Sequence, residues 1–136
     1  MLSNNDINRI LAAIADGYFL ESMETTDDTP VTVRTYTMTG AEVIAVKVMC
    51  AAISIGAGAF VSNMTKTFYY DGATVTEGGL WGDVTKEYLG TGLSTCDFDF
   101  SISGADVSVV WTGEAGKDIT VNFKIQVQRL VNTNLP

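Results

Sequence analysis

Ile119-Thr120-Val121-Asn122-Phe123-Lys124-Ile125-Gln126-Val127-Gln128-Arg129-Leu130-Val131 alternates apolar and polar residues with a period of two. A strand sends successive side chains to opposite faces, so Ile119, Val121, Phe123, Ile125 and Val127 cover a core while Thr120, Asn122, Lys124, Gln126 and Gln128 meet water. At about 3.4 Å per residue this strand spans about 40 Å, and it sets the length of the sheet that holds it.

The same alternation recurs upstream. Cys96, Phe98, Phe100 and Ile102 share one phase against Asp97, Asp99 and Ser101, and Val107, Val109 and Trp111 repeat it. Residues 31–38 read as a β-branched strand after an Asp-Thr-Pro turn at 27–30. Residues 43–61 are apolar apart from Lys47, a length that matches a membrane span. Gly56-Ala57-Gly58 breaks that run, and its Val and Ile content fits two strands joined by a glycine turn, with Ile44, Val46, Val48 and Cys50 on one face. A further strand over 61–70 ends at Asp71-Gly72, a strong hairpin signal, with a short return at 74–76. A less regular strand over 80–88 and a break at Gly90-Thr91-Gly92 precede the strand at 95–103.

Short strands at this spacing, with glycine turns and no interleaved helices, predict an all-β antiparallel sandwich, jelly-roll-like, with eight or nine strands. One short N-terminal α-helix comes before it. Ser3-Asn4-Asn5-Asp6 supplies capping residues, Ile7, Ile10, Leu11 and Ile14 form a narrow stripe at helical spacing, and Gly17 ends the pattern. The expected division is a helix over 1–17, for oligomerisation or attachment, and a sandwich domain over 18–136. A helix this short is unstable alone. Its stripe either caps the open end of the sandwich or bundles with other copies at coiled-coil spacing. A signal peptide fits less well, because Asp6 stands where a basic start is expected.

Composition removes whole classes of function. The 136 residues suit one domain that needs no disulfide framework. A net charge of −8, from 8 basic and 16 acidic residues, argues against a nucleic-acid partner. There is no His in the sequence, so the usual general base and the commonest zinc ligand are missing, and the expectation is a non-enzyme with no cofactor and no metal. Cys50 and Cys96 both lie in apolar phases and read as buried free thiols, the alternative being a disulfide between strands. Asp97 and Asp99, two apart on one strand, form a candidate carboxylate pair, and Asp27-Asp28 a candidate cation pair, though the plainer reading of both is solvated surface. Phe68, Tyr69, Tyr70 and Trp81 cannot all face inward, so Tyr69 and Trp81 are candidate ligand contacts that would stack on a sugar, against edge packing or a subunit contact as the bland use.

Thr25-Thr26-Asp27-Asp28-Thr29-Pro30-Val31-Thr32-Val33, the central Tyr70-Asp71-Gly72-Ala73-Thr74, and the closing segments at 102–109 (Ile102-Ser103-Gly104-Ala105-Asp106-Val107-Ser108-Val109) and 112–121 resemble, in their order and spacing, a small β-domain of tailed-bacteriophage virion proteins. The resemblance runs from about residue 25 to the end. It implies a virion structural protein on the particle surface, of tail-fibre or tail-tip type, acting in assembly and host adhesion, with capsid decoration (head fibre or cement) as the alternative. A free carbohydrate-binding module is a further alternative. The implied partners are other virion proteins, a host-surface glycan and further copies of the chain, since such proteins are commonly trimeric. The implied location is the virion, assembled in the host cytoplasm. Ile7, Ile10, Leu11 and Ile14 are the expected oligomer interface, and no catalytic residues and no membrane insertion are implied.

Overall fold

A computed structural model describes residues 3–7 and 18–131, and for residues 18, 81–83 and 131 the backbone alone. Within them run β1 (Tyr18–Thr25), β2 (Val31–Thr37), β3 (Glu42–Ser54), β4 (Gly58–Tyr70), β5 (Val75–Gly90), β6 (Asp97–Ser103), β7 (Asp106–Thr112) and β8 (Ile119–Val131). All pairings are antiparallel. They build a five-stranded sheet in the order β1-β8-β3-β4-β5 and a three-stranded sheet in the order β2-β7-β6. The first two strands thus pair with the last two, β1 with β8 and β2 with β7, which winds the two ends of the chain side by side as in a jelly roll. Strands β3, β4 and β5 run on as a meander.

The alternation of β8 is realised in full. Ile119, Val121, Phe123, Ile125 and Val127 are buried, while Thr120, Asn122, Gln126 and Gln128 are exposed. On β3, the inward phase is Ile44, Val46, Val48, Cys50 and Ala52. Rings from both sheets meet in the middle: Trp111 of β7 lies 5.7 Å from Phe123 and 6.1 Å from Phe60, and Phe98 of β6 lies 6.3 Å from Phe123. Burying an aliphatic or aromatic side chain of this size contributes about 1.5–3 kcal/mol, so this seam is the main attachment of one sheet to the other. Both cysteines are free and buried, and burial pushes the Cys50 thiol up to about 12 and the Cys96 thiol up to about 11. Residues 43–61, long enough for a membrane span, are a hairpin of β3 and β4.

Three expectations are corrected. The strand after the glycine turn and the strand over 61–70 are one, β4, because the turn occupies 55–57. It is closed by Ala57 N–H donating to Ser54 O at 3.0 Å, with Gly56 at φ 81°. The return at 74–76 and the strand at 80–88 are likewise one strand of 16 residues, β5. Its glycines do not end it, since the register with β4 shifts between Asn63 and Thr65 and again between Lys66 and Phe68, so the extra residues of β5 are taken up as bulges. Finally, the inward phase of β6 fades along the strand: Phe98 is buried, Phe100 half-buried and Ile102 36% exposed. Alternation fixes direction and not cover, and β6 is the edge of the smaller sheet.

At the N-terminus, residues 4–7 are helical. Asp6 N–H donates to Ser3 Oγ and Ser3 N–H donates to Asp6 Oδ2, both at 3.1 Å, which is a reciprocal capping box. Ile7 is exposed, and Ile10, Leu11 and Ile14 lie outside the described residues.

Candidate functional site

The edges of the two sheets are joined by side chains at both flanks of the sandwich. On one flank, Lys86 of β5 donates to Asp97 of β6 at 2.5 Å, and Tyr88 Oη donates to Cys96 O at 2.6 Å. The Lys86 ammonium is held above its ordinary pKa by that bond to Asp97. On the other flank, the Arg34 guanidinium of β2 lies 4.7 Å from the Phe19 ring of β1 and 5.7 Å from the Tyr36 ring.

Each carboxylate of the candidate pair has its own partners. Asp97 Oδ1 accepts from Phe98 N–H and Asp99 Oδ1 from Phe100 N–H, each at 2.8 Å, while the other oxygen of Asp97 holds Lys86. Asp27 Oδ1 accepts from Thr29 N–H at 2.9 Å, which closes its turn. Among the described residues no group of three or more His, Cys, Asp and Glu side chains is placed to hold a metal ion.

Tyr69 is exposed on β4 opposite Thr76, and Trp81, whose side chain is outside the described residues, stands opposite Thr65. Four residues of β4, about 13 Å along the strand, separate these rungs.

One end of the sandwich is tied by a residue the sequence reading passed over. Glu114 Oε1 accepts backbone N–H groups from Ser94 at 2.8 Å, Thr95 at 2.6 Å and Cys96 at 3.2 Å. Burial acts to raise its pKa, but the bonds from Thr95, Ser94 and Cys96 outweigh it and hold the carboxylate below its usual range. Beside it, Gly113 fits so tightly that a Cβ would stand 2.5 Å from Asp27 O and 2.6 Å from Thr25 Oγ1. Trp111 Nε1 donates to that same Thr25 hydroxyl at 3.3 Å. No local spacing links residue 114 with 94–96, so only the fold discloses the contact.

The outer face of the larger sheet is the other feature the sequence reading missed. Its β3 residues are Val43, Ala45, Lys47, Met49, Ala51 and Ile53, all apolar but one. A groove of about 460 Å³ crosses it, lined by Leu20, Met49, Ala51, Val61, Asn63 and Lys124 among others. Leu20 is 64%, Ile53 57% and Met49 40% exposed, and Asn63 Oδ1 is a buried acceptor without a hydrogen-bond partner. The signal was present in 43–61, which is apolar in both phases and not in one.

Fold and surface together define a jelly-roll-like β-sandwich whose conspicuous features are an apolar sheet face and clasped edges. No protein-family model matches the sequence, and no curated protein matches it. Among solved structures, the tailspike protein of Acinetobacter baumannii phage AM24 is similar over 86% of this chain and 27% of its own, with a TM-score of 0.47 and 10% identity. The present chain therefore spans well under two-thirds of that protein.

Proposed function

We propose that the protein is a structural component of a tailed-bacteriophage virion, displayed on the particle surface in a tail-fibre or tail-tip position and working in assembly and host adhesion. One observation carries the reading. Two of the segments through which the sequence resembles virion β-domains, 25–33 and 112–121, are neighbours in space. Thr25 pairs with Ile119, and Gly113 packs under Thr25 and Asp27. Turns resembling a family by chance have no reason to assemble into one corner of a fold.

The role is binding and support, not turnover: Asp97 is held by Lys86, and Glu114 by three backbone amides. The chain acts as a homotrimer, with the N-terminal stripe as its interface. Mass spectrometry of purified particles tests the assignment. A few dozen copies or fewer per particle supports the tail position, hundreds would move the protein to the capsid surface, and its absence from particles would refute the proposal.

A further inference from the structure

Among the described strands β6 is the outer strand of the smaller sheet, and its outward backbone groups are met by side chains of the same chain. β6 and β7 are joined by the two-residue turn Gly104-Ala105, with Gly104 at φ 60° and Ser103 opposite Asp106. In such a hairpin the closing pair is hydrogen-bonded and the pairs alternate from there, so Asp97, Asp99, Ser101 and Ser103 bond to β7 while Phe98, Phe100 and Ile102 turn their N–H and C=O groups outward. Two of these outward donors are taken. Phe98 N–H donates to Asp97 Oδ1 and Phe100 N–H to Asp99 Oδ1, each at 2.8 Å. Just before the strand, Cys96 N–H donates to Glu114 Oε1 at 3.2 Å and Cys96 O accepts from the Tyr88 hydroxyl at 2.6 Å. Lys86 fixes the first of the two Asp caps by holding the other oxygen of Asp97.

An open sheet edge is a template for a further strand, and bulges or charge ordinarily blunt it. The ladder of β5 is broken by two register shifts and that of β2 by one, whereas β6 keeps an unbroken register with β7 over all 7 of its residues and carries Phe100 half-buried and Ile102 exposed. Regular and partly apolar, β6 is an edge fit for pairing. We infer that Asp97 and Asp99 guard it: their carboxylates occupy the N–H groups of Phe98 and Phe100 and so keep β6 from pairing with β6 of a second copy. A carbonyl of an incoming strand would meet a carboxylate oxygen where it needs a donor, and the charge-assisted bond beneath would have to break first. The strand excluded is β6 of another copy, because an edge can pair with itself antiparallel about a two-fold axis and needs no second complementary sequence. With Asp99 removed, such a pair centred on Ser101 would set Phe100 of each copy against Ile102 of the other, joined through the outward groups of both residues. This inference rests neither on the virion assignment nor on the trimer.

Asp99→Ala and Asp99→Asn separate the cap from its charge. Both remove one negative charge and leave the Lys86–Asp97 bond in place, but Asn keeps an acceptor oxygen for the Phe100 N–H and Ala keeps none. Sedimentation velocity over a concentration series, with circular dichroism unchanged, should show Asp99→Ala associating beyond the intact chain with at least about a tenfold gain in affinity, and Asp99→Asn behaving as the intact chain does. Asp99→Val, a better strand former that also lacks an acceptor, repeats the comparison if the Ala chain fails to fold. Amide hydrogen exchange over 97–103 should slow in the concentrated Ala or Val sample relative to the dilute one. Folded Ala and Val chains that sediment as the intact protein does would overturn the inference. Equal association of the Asn chain would assign the effect to charge and overturn it as well, as would association that leaves exchange over 97–103 unchanged.

Discussion

Replacing Glu114 by Gln keeps the shape of the latch at the end of the sandwich and removes its charge. Oε1 accepts three backbone N–H groups, from Ser94, Thr95 and Cys96, and only the last of these is buried, so the first two can turn to water. Hydrogen bonds to a charged group are worth about 1.5–3 kcal/mol against about 0.5–1.5 for neutral ones, and three bonds sharing one oxygen do not add, so the loss at pH 7 should be about 1–2 kcal/mol. For a chain of this size that lowers the melting temperature by about 4–8 °C. Because the folded carboxyl titrates below its usual range, the stability it contributes is complete above the unfolded pKa of about 4.3 and is lost as pH falls through the lower folded value. Urea midpoints of both chains, followed by the fluorescence of buried Trp111 at one fixed chain concentration, should therefore differ at pH 7 and draw together as pH falls through the lowered titration range of the folded carboxyl. Asp71 is also held low by hydrogen bonds from Thr74 and Ala73, but it titrates alike in both chains and cancels. Equal midpoints at pH 7, or a gap that persists undiminished into acid, would refute the latch.

Two more outcomes follow from the core. Phe123→Ala removes a ring set edge-on to both Phe98 and Trp111 and should cost about 3–5 kcal/mol in urea titration; an unchanged midpoint would mean the seam between the sheets is misplaced. Iodoacetamide at pH 8 should leave Cys50 and Cys96 unmodified in the folded protein, because burial raises both thiols far above that pH, and should alkylate both in urea, as intact-mass measurement would report.

Much of the sandwich was legible because its central strands are written in one period. β8 and the inward phase of β3 follow the alternation residue by residue, and Asp71-Gly72 closes the β4–β5 hairpin, with Asp71 Oδ1 accepting from Ala73 and Thr74 N–H at 2.8 Å each. The unity of β5 was hidden, since Gly78, Gly79 and Gly82 punctuate a sequence that the ladder simply bulges around. The Glu114 latch was hidden for another reason. Its partners lie 18 to 20 residues back, beyond any local pattern. As for the candidate contacts, Tyr69 is exposed as a free ring would be, but the register of β4 sets its rung apart from that of Trp81.

The outer face of the larger sheet raises a question that the fold alone does not answer. β8 and β3 are neighbours in the same sheet, both central, both 13 residues long and both buried on the inner side. On the outer side β8 presents Thr120, Asn122, Lys124, Gln126 and Gln128, so polar residues satisfy a central strand of this sheet. Directly opposite them β3 presents Ile53, Ala51, Met49, Lys47 and Ala45. Strand propensity does not explain the difference, because alanine is a poor strand former and threonine a good one. Neither does the core, which these side chains do not touch. An exposed apolar strand is also an aggregation hazard that sequences ordinarily blunt with charge. A face kept apolar where polar residues would serve the fold equally well therefore answers to a constraint other than strand propensity or the core.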